Sequence, residues 1–598
     1  MLNNKTNQLA ISVLVIVVIV LWVVFSGDSR NNPSTQSPVA ENQPATESTP
    51  ADTITNGSTA DNPTANAPTE NPSAKSPLVA DSGFDVKVDG FSFANYGNEK
   101  GVTNLKANDM RRMFGDKVCT RIKDGKCTLT SPARQWMKEI NAAMDGGHCE
   151  GMAVTSLNLF HKIENPNTFG APKTNDLAFD GNTTLQEEIA YWWATQTTEP
   201  TISSMITGKP SDIIKILSAS LSQGQNAETF YSIGIYMADG TGGHAVTPVS
   251  INDLGGGKVG LNIYDNNWPN DLRTINVDLN DETWNYQASI NPNEPDSLYS
   301  GNTLELTPSK PRLQTQVCDF CSSKGRKSNT KGLTTFILNT HSDNPNASAP
   351  RPNATGSTLF VTPEGKRIGY VDGKLVNEIA GASIKIFKGA PSLWSESGLP
   401  IFRIPEGITL TLQIANDPSY KYSVSAYGDG KVVKVSNFDV SATKNSAFSF
   451  GDKVSSIKMK SAVKTSPDIY IGDEDNASHK DSSTQFSNVD ISEDGEFDVT
   501  FDEETDKFMV DGDESGDFDL DVLISDDESD YAFSTKHYVL DKGANAAFDI
   551  DAIDKEGASL TFDVDENGDG TYDTQSDLQD SDTSLESDSV ATDDLADE

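Results

Sequence analysis

Basic residues are scarce in this 598-residue chain, because 46 Lys and Arg face 88 Asp and Glu, for a formal net charge of −42. The imbalance lies at one end: residues 471–598 contain 42 acidic residues and only 5 lysines. Such a block repels nucleic acid and anionic lipid and attracts cations, Ca²⁺ in particular. The charge therefore excludes nucleic acid as a partner and sets the C-terminal region apart.

Apolar residues are also few, at 36% of the chain, which predicts that part of the length is linker or solvated tail. Residues 27–80 are rich in Pro, Thr, Ser and Asn and are predicted to be a disordered linker. The exception is the apolar run at 9–26, which matches the thickness of a bilayer. We expect a transmembrane signal anchor, with residues 1–8 cytoplasmic and the bulk extracellular at the cell membrane; a cleaved signal peptide is the alternative.

Cysteine is rare as well, and the five cysteines are Cys119, Cys127, Cys149, Cys318 and Cys321. The first two flank a hairpin-like segment and the last two form a C-D-F-C motif, so two local disulfides are predicted for an exported chain. A zinc site built from the same four residues is the alternative. Either arrangement leaves Cys149 over as a candidate reactive thiol.

The order of predicted elements gives the domain organisation. Residues 83–340 show helical periodicity first and strands afterwards, which predicts an α+β domain. Residues 356–462 read as short strands between Gly-rich turns, typical of a β-sandwich. Residues 468–573 are predicted to be an acidic β-rich region and 574–598 a disordered acidic tail.

The segment D-G-G-H-C-E-G-M-A-V brings Cys149 to the start of a predicted helix directly after a glycine-rich turn. The helix dipole and the free N–H groups at that position stabilise a thiolate, and the N–H of Cys149 could face a developing oxyanion. We predict that Cys149 is a nucleophile. The alternative is an inert core thiol.

A thiol nucleophile needs a base, and the chain has only six histidines. His244 follows two glycines at the start of a strand and is favoured over His148, which adjoins the nucleophile and should point away from it. At the end of the next strand, Asp265 or, as second choice, Asn266 is predicted to orient the imidazole. The alternatives are a surface histidine at a turn and Asx-turn chemistry before Trp268.

This order, Cys at a helix start, His at a strand start and Asp or Asn at the next strand end, resembles the papain-like cysteine peptidase superfamily, in particular the bacteriocin-processing peptidases. The resemblance implies a papain-like fold, an acyl-enzyme thioester and an upstream amide as oxyanion donor. Asn141 and Gln135 are the candidates for that donor, although their spacing from Cys149 differs from the family pattern. Transglutaminase-like domains share the same residue order.

An acidic loop near the C-terminus has the sequence D-V-D-E-N-G-D-G-T-Y-D. Asp565, Asn567, Asp569 and Asp573 supply oxygen ligands, and Gly570 permits a tight turn. The pattern resembles the calcium loops of dockerin-like and thrombospondin-type repeats but lacks the final bidentate Glu of an EF-hand. It predicts a Ca²⁺ site, whereas the predicted catalysis needs no cofactor.

Together these patterns predict a membrane-anchored extracellular cysteine hydrolase, a peptidase acting on protein or peptide substrates through a Cys-His-Asp/Asn triad. Two alternatives stay open: a non-catalytic surface adhesion or structural protein with a degenerate papain-like fold, and a transglutaminase-like acyltransferase. The sequence leaves the oligomeric state and the substrate undetermined.

Overall fold

A computed structural model describes most of the chain from residue 78 onward, which includes the last three residues of the predicted linker. The described residues are 78–98, 101–236, 243–288, 298–322, 332–341, 357–371, 374–386, 388, 401–451, 454–475, 480–502, 507–512, 516–549 and 559–579. The predicted cytoplasmic residues and the predicted span at 9–26 lie outside these ranges. Across the described ranges, no helix is both long enough and apolar enough to cross a bilayer.

The helices cluster in the first half of the described chain. The α-helices are α1 Ala107–Phe114, α2 Ser131–Ala143, α3 Cys149–Phe160, α4 Thr183–Ala194, α5 Thr201–Ser204, α6 Pro210–Leu221 and α7 Ser309–Arg312. Short 3₁₀ turns lie at Asp116–Val118, Met144–Gly146, Pro166–Phe169, Thr174–Asp176, Thr195–Thr197 and Gly224–Asn226.

Strands run through the whole described chain. The first eleven are β1 Leu78–Asp81, β2 Cys119–Lys123, β3 Lys126–Leu129, β4 Ile206–Gly208, β5 Tyr231–Tyr236, β6 Gly243–Gly255, β7 Lys258–Tyr264, β8 Leu272–Asp278, β9 Thr283–Gln287, β10 Leu298–Gly301 and β11 Leu304–Pro308. The next ten are β12 Leu333–His341, β13 Ser357–Val361, β14 Arg367–Val371, β15 Lys374–Asn377, β16 Ser383–Lys385, β17 Ile401–Pro405, β18 Leu410–Ala415, β19 Lys421–Gly428, β20 Lys431–Phe438 and β21 Ser446–Phe450. The last ten are β22 Ser456–Lys460, β23 Asp468–Asp475, β24 Lys480–Ser487, β25 Glu496–Asp502, β26 Lys507–Gly512, β27 Gly516–Ser525, β28 Asp530–Leu540, β29 Asn545–Asp549, β30 Ser559–Asp565 and β31 Thr574–Gln579.

The described residues are mostly β, with 46% in strands and 20% in helices. The predicted fold class, an α+β papain-like domain followed by a β-sandwich and a partly disordered acidic region, is therefore wrong. The transmembrane helix that was predicted to precede them lies outside the described residues. Periodicity within single segments identified many of the strands. It could not show that strands from the sandwich segment and from the acidic segment share the same sheets, because strand pairing is a long-range property.

The described residues between 78 and 322 form what we call the first body. It is built on a nine-stranded antiparallel sheet with the order β10-β9-β8-β7-β6-β5-β11-β4, and β1 pairs with β6 at a branch. Helix α6 packs on this sheet, and its Ile213 and Leu217 join the core formed by β5 to β11. Helix α3 lies against β6 and α4. The strand that begins with Gly243 therefore runs through the middle of the sheet, beside the helix that begins with Cys149.

The described residues between 332 and 579 form the second body, which is a sandwich of two long antiparallel sheets. Their orders are β16-β17-β12-β19-β20-β23-β24-β27-β28 and β15-β14-β13-β18-β21-β22-β25-β26-β29-β30-β31. One continuous hydrophobic core fills the space between them, from Phe336 to Phe562. The acidic segment thus completes the sheets that the preceding segment begins.

Alternation of side chains explains how so acidic a segment folds. Along β27, Phe518, Leu520 and Val522 are buried, while Asp519 and Asp521 lie on the outward face. A period of two places every second side chain in the core and leaves the carboxylates in water. Net charge is therefore compatible with a full hydrophobic core.

Helix α2 joins the two bodies. Asp481, on β24, accepts hydrogen bonds from the backbone N of Ser131 at 2.7 Å and from its Oγ at 2.8 Å, at the N-terminus of the helix. Further along α2, Glu139 accepts from Ser425 Oγ at 2.8 Å and pairs with Lys434 Nζ at 2.8 Å. Burial raises the pKa of Asp481 to about 7. The first body is thus anchored on the sandwich through buried polar groups.

Candidate active site

Cys149 begins α3, directly after a turn in which Gly147 has a φ of 119°. Only glycine adopts such a conformation readily, so the turn depends on it. The Cys149 side chain is fully buried and its thiol is free. The sulfur accepts a hydrogen bond from the backbone N of Ala245 at 3.4 Å. This donor and the helix N-terminus both favour negative charge on the sulfur.

The other four cysteines are paired. The structure contains the disulfides Cys119–Cys127 and Cys318–Cys321 rather than the alternative zinc site. The first joins β2 to β3, and the second lies in the core that surrounds α2. Cys149 is therefore the free cysteine.

His244 and Asp265 form a buried pair. Nε2 of His244 lies 2.8 Å from Oδ1 of Asp265 and donates to it, because an ionised carboxylate can only accept. Oδ1 also accepts from the backbone N of Asn267 at 2.9 Å, and Oδ2 accepts from the hydroxyl of Tyr286. Burial would raise the pKa of Asp265, but His244 and these hydrogen bonds outweigh burial and lower it. Asp265 therefore fixes the orientation and the tautomer of the imidazole.

The second nitrogen of His244 is available to the sulfur. Nδ1 is buried and has no well-aligned hydrogen-bond partner in the described part of the chain. Burial would lower the pKa of His244, but the charges of Asp265 and Cys149, together with the hydrogen bond to Asp265, raise it to about 10. The imidazole is thus held between a carboxylate and a thiol and stays protonated well above its ordinary pKa of 6.5.

The raised pKa of His244 predicts how stability depends on pH. A pKa that is higher in the folded protein gives a contribution that is fully present below pH 6.5 and is lost as the pH rises through about 10. We expect the urea midpoint of the unaltered chain to fall between pH 6.5 and 10 more steeply than that of His244→Gln. Parallel curves for the two chains would contradict the assignment.

Asn266, the second choice for the orienting residue, has a different role. Its Nδ2 donates to the backbone oxygen of Cys149 at 2.9 Å and to that of Ala245 at 3.2 Å. It therefore links the start of α3 to β6, while its neighbour Asp265 contacts the imidazole. Adjacent residues at a strand end point to different partners, as alternation requires.

The two amides predicted as oxyanion donors are used elsewhere. Nε2 of Gln135 donates to Glu139 Oε1 at 2.9 Å, within α2. Asn141 exchanges hydrogen bonds with the backbone of Leu105, with Nδ2 donating at 3.0 Å and Oδ1 accepting at 3.1 Å. Both side chains thus hold helix α2 and its neighbours in place.

Two buried amides that the sequence spacing missed contact residues that adjoin Cys149, and they are therefore the better candidates for an oxyanion donor. Asn95 accepts from the backbone N of His148 at 2.8 Å, and Gln196 Oε1 accepts from the backbone N of Lys388 at 2.8 Å. Nδ2 of Asn95 and Nε2 of Gln196 are buried and have no hydrogen-bond partner in the described ranges. A buried donor without a partner costs about 1–3 kcal/mol. Neither residue carries a local motif that could have revealed it.

His148 is not a competing base. Its ring nitrogens lie 2.8 Å from the backbone oxygen of Tyr96 and 2.8 Å from Oδ1 of Asn104. Burial lowers its pKa to about 4, so the ring is neutral at physiological pH. It positions the turn before Cys149 by stacking on Tyr96 at 4.2 Å between ring centroids.

A residue from the second body covers the sulfur. The thiol of Cys149 lies 3.3 Å from the backbone oxygen of Lys388, which follows β16 and is fully buried. The contact joins residues 239 positions apart in the chain, so no local pattern predicts it. The candidate nucleophile is closed off from solvent in this state.

The predicted calcium loop is closed by hydrogen bonds within itself. Both oxygens of Asp565 accept from backbone N–H groups between Asn567 and Gly570, and Oδ2 of Asp573 accepts from Asn567 Nδ2 at 3.2 Å. No group of three or more His, Cys, Asp or Glu side chains suited to a metal ion occurs in the described ranges. Calcium binding by Asp565, Asn567, Asp569 and Asp573 stays a prediction.

No family model, curated protein or solved structure matches this chain. The resemblance to papain-like peptidases therefore depends on the order of three residues in the sequence. The functional argument depends on how Cys149, His244 and Asp265 meet in the fold.

Proposed function

We propose that this chain is a cysteine hydrolase that cleaves peptide bonds, with Cys149 as nucleophile, His244 as general base and acid, and Asp265 as the residue that positions the imidazole. The observation that carries the proposal is the buried series of carboxylate, imidazole and thiol. The contact between the carboxylate of Asp265 and the imidazole of His244 measures 2.8 Å. On the other side of the ring, the charge of Cys149 helps to raise the pKa of His244. This arrangement activates a thiol. If its role were only structural, simpler apolar residues would serve as well.

The proposed reaction starts from an ion pair in which His244 already holds the proton of Cys149, and the thiolate attacks the carbonyl carbon of a peptide. The C–N bond breaks, and the imidazolium gives its proton to the leaving amine. Water, deprotonated by His244, then hydrolyses the thioester and frees the sulfur. The N–H of Cys149 and a buried amide, Asn95 or Gln196, supply the oxyanion donors.

The proposal includes an extracellular location. Disulfides persist in oxidising compartments and are rare in the cytosol, and this chain has two. The apolar run at 9–26 supplies the proposed membrane anchor, and the acidic segment keeps the exported part soluble.

Alkylation and proteolysis test the function. Because Lys388 covers the sulfur, the test compares the full chain with Lys388→Gln and with Lys388→Gln combined with Cys149→Ala. We expect iodoacetamide to modify Cys149 in the Lys388→Gln chain and casein to be digested by that chain, with both results lost in the double variant. Dansylcadaverine incorporation without proteolysis would instead indicate an acyltransferase, and casein digestion that survives Cys149→Ala would contradict the proposal.

A further inference from the structure

A buried acidic pocket lies directly beside Cys149. Glu305 and Thr307 on β11 form one wall, and Glu150, the residue that follows the nucleophile, forms another. The hydroxyl of Tyr236 donates to Glu305 Oε1 at 2.8 Å and fixes that carboxylate. Two buried carboxylates next to a proposed nucleophile are costly unless a cation binds them.

The pocket is filled by the side chain of Lys388. Its Nζ donates to Glu305 Oε1 at 3.0 Å and to Thr307 Oγ1 at 3.0 Å, and it lies 3.4 Å from Glu150 Oε2. The ammonium group of Lys388 thus makes two hydrogen bonds, and a third oxygen, Glu150 Oε2, lies within ion-pair distance but accepts no hydrogen bond in the described part of the chain. Lys388 is fully buried, so this is a buried lysine site and not a surface ion pair.

The charges show that the pocket needs this cation. Glu150 already has a cationic partner in buried Arg312. Glu305 has none among the described residues of the first body, and it pairs with Lys388 and, through Oε2 at 2.8 Å, with Lys385. Burial would raise the pKa of Glu305, but these two lysines outweigh it and hold the pKa at about 2. Without them a negative charge would be buried alone, which strongly favours a cationic ligand over a neutral one.

The pocket and Cys149 are connected by paired residues on three neighbouring strands of the nine-stranded sheet, β11, β5 and β6. Glu305 pairs with Gly234, and Gly234 pairs with Ala245, whose backbone N donates to the sulfur. Gly234 makes room for the lysine: a Cβ there would lie 3.1 Å from Cδ of Lys388 and 3.1 Å from Glu305 Oε1. The sheet therefore fixes the distance between the cation-binding end of the pocket and the sulfur.

The backbone of Lys388 is held as well. Its N–H donates to Gln196 Oε1 at 2.8 Å, and its carbonyl oxygen lies 3.3 Å from Cys149 Sγ. Since a C=O bond is about 1.2 Å long, the carbonyl carbon is within about 4.5 Å of the sulfur. The residue whose carbonyl meets the nucleophile is the same residue whose side chain fills the pocket. Lys388 thus occupies the acyl side of the site.

We propose that the pocket formed by Glu305, Thr307 and Glu150 is the specificity pocket for a lysine on the acyl side of the cleaved bond, and that Lys388 fills it in cis and keeps the site closed. This inference rests on the proposed hydrolase function. The substrate class is a peptide bond that follows a lysine. The second body acts as a tethered, substrate-like inhibitor of the first.

Probe labelling of the full-length protein tests both parts of the proposal. The unaltered chain, Lys388→Gln and the control Lys374→Gln, an exposed lysine on β15, are treated with peptidyl acyloxymethyl ketones that carry Lys, Gln, Leu or Glu next to the reactive carbonyl. Mass spectrometry measures the rate of modification at Cys149. We expect Lys388→Gln to react at least about tenfold faster than the other two chains. In every chain the lysyl probe should react at least about 100-fold faster than the others.

A second variant, Glu305→Gln, should remove most of the advantage of the lysyl probe. If Lys388→Gln folds poorly by circular dichroism, the comparison of lysyl and leucyl probes on the unaltered chain still tests lysine selection. The block in cis is then tested by the leucyl probe on Glu305→Gln, which releases the Lys388 side chain from one partner and should react faster than the unaltered chain. Equal rates for these two probes overturn lysine selection, and equal rates for the unaltered and Lys388→Gln chains overturn the block in cis. Either result, with Cys149 modified, leaves the hydrolase proposal standing. No modification of Cys149 by any probe in any chain overturns that proposal and the inference with it.

Discussion

Replacing Asp265 with asparagine in the Lys388→Gln chain should lower kcat for peptide hydrolysis by about 10³–10⁴-fold. Both oxygens of Asp265 are acceptors, with Oδ1 bound by His244 and Asn267 and Oδ2 bound by Tyr286. An amide accepts on one atom only, so one side of this arrangement must lose its acceptor. The imidazole then loses the charge that raises its pKa, and it also loses its orientation where the amide nitrogen faces it.

Asp271→Asn provides the matched control for this prediction. Asp271 is six residues further along the chain, is exposed and contacts Arg273 at 3.3 Å. This change should leave kcat and the pH profile unaltered. If Asp265→Asn behaves like Asp271→Asn, the carboxylate does not position the imidazole and the triad reduces to Cys149 and His244.

Gly151→Ala should destabilise the first body by more than any conservative exchange on its surface. Gly151 lies in the first turn of α3, and a Cβ there would clash with the backbone oxygen of Ile189 on α4. Alanine would add about 1 kcal/mol of helix propensity. Overpacking costs about 1–3 kcal/mol or more, and here the atom in contact is backbone that cannot rotate away. The clash therefore outweighs the gain.

Urea unfolding followed by tryptophan fluorescence measures this loss, because Trp192 and Trp193 lie on the same helix as Ile189. The control is Gly208→Ala, whose Cβ would make an ordinary contact of 3.5 Å with the side chain of Ile213. The urea midpoint should fall for Gly151→Ala and stay near the parent value for the control. Equal midpoints would show that α3 and α4 can separate without cost, and that Gly151 does not set the position of Cys149.

Local chemistry explains which parts of the site the sequence could predict. Cys149 and His244 each have a distinctive setting, with glycines before a helix or strand, and Asp265 ends the strand after that of His244. The structure brings these three together. Lys388 and Glu305 have no such setting, since an ion pair between residues 83 positions apart leaves no periodic trace.

The fold was harder to predict for the same physical reason. Apolar alternation in the acidic segment indicated strands, but the register and the neighbours of β23 to β31 depend on sheets that begin more than a hundred residues earlier. High charge also suggested partial disorder. Charge on the outward face of a sandwich does not compete with burial on the inward face, so the inference from composition was misleading.

Because helix α2 packs on the sandwich, the first body should not fold as an independent domain. A truncation after residue 341 would strip Glu139 of Ser425 and Lys434, would leave the N-terminus of α2 without Asp481, and would remove Tyr427 and Val432 from the cluster around Trp136. An unrelated domain fused at the same junction would supply none of these partners. The two bodies should therefore be inherited together, with each change at their junction matched by a change on the opposite side.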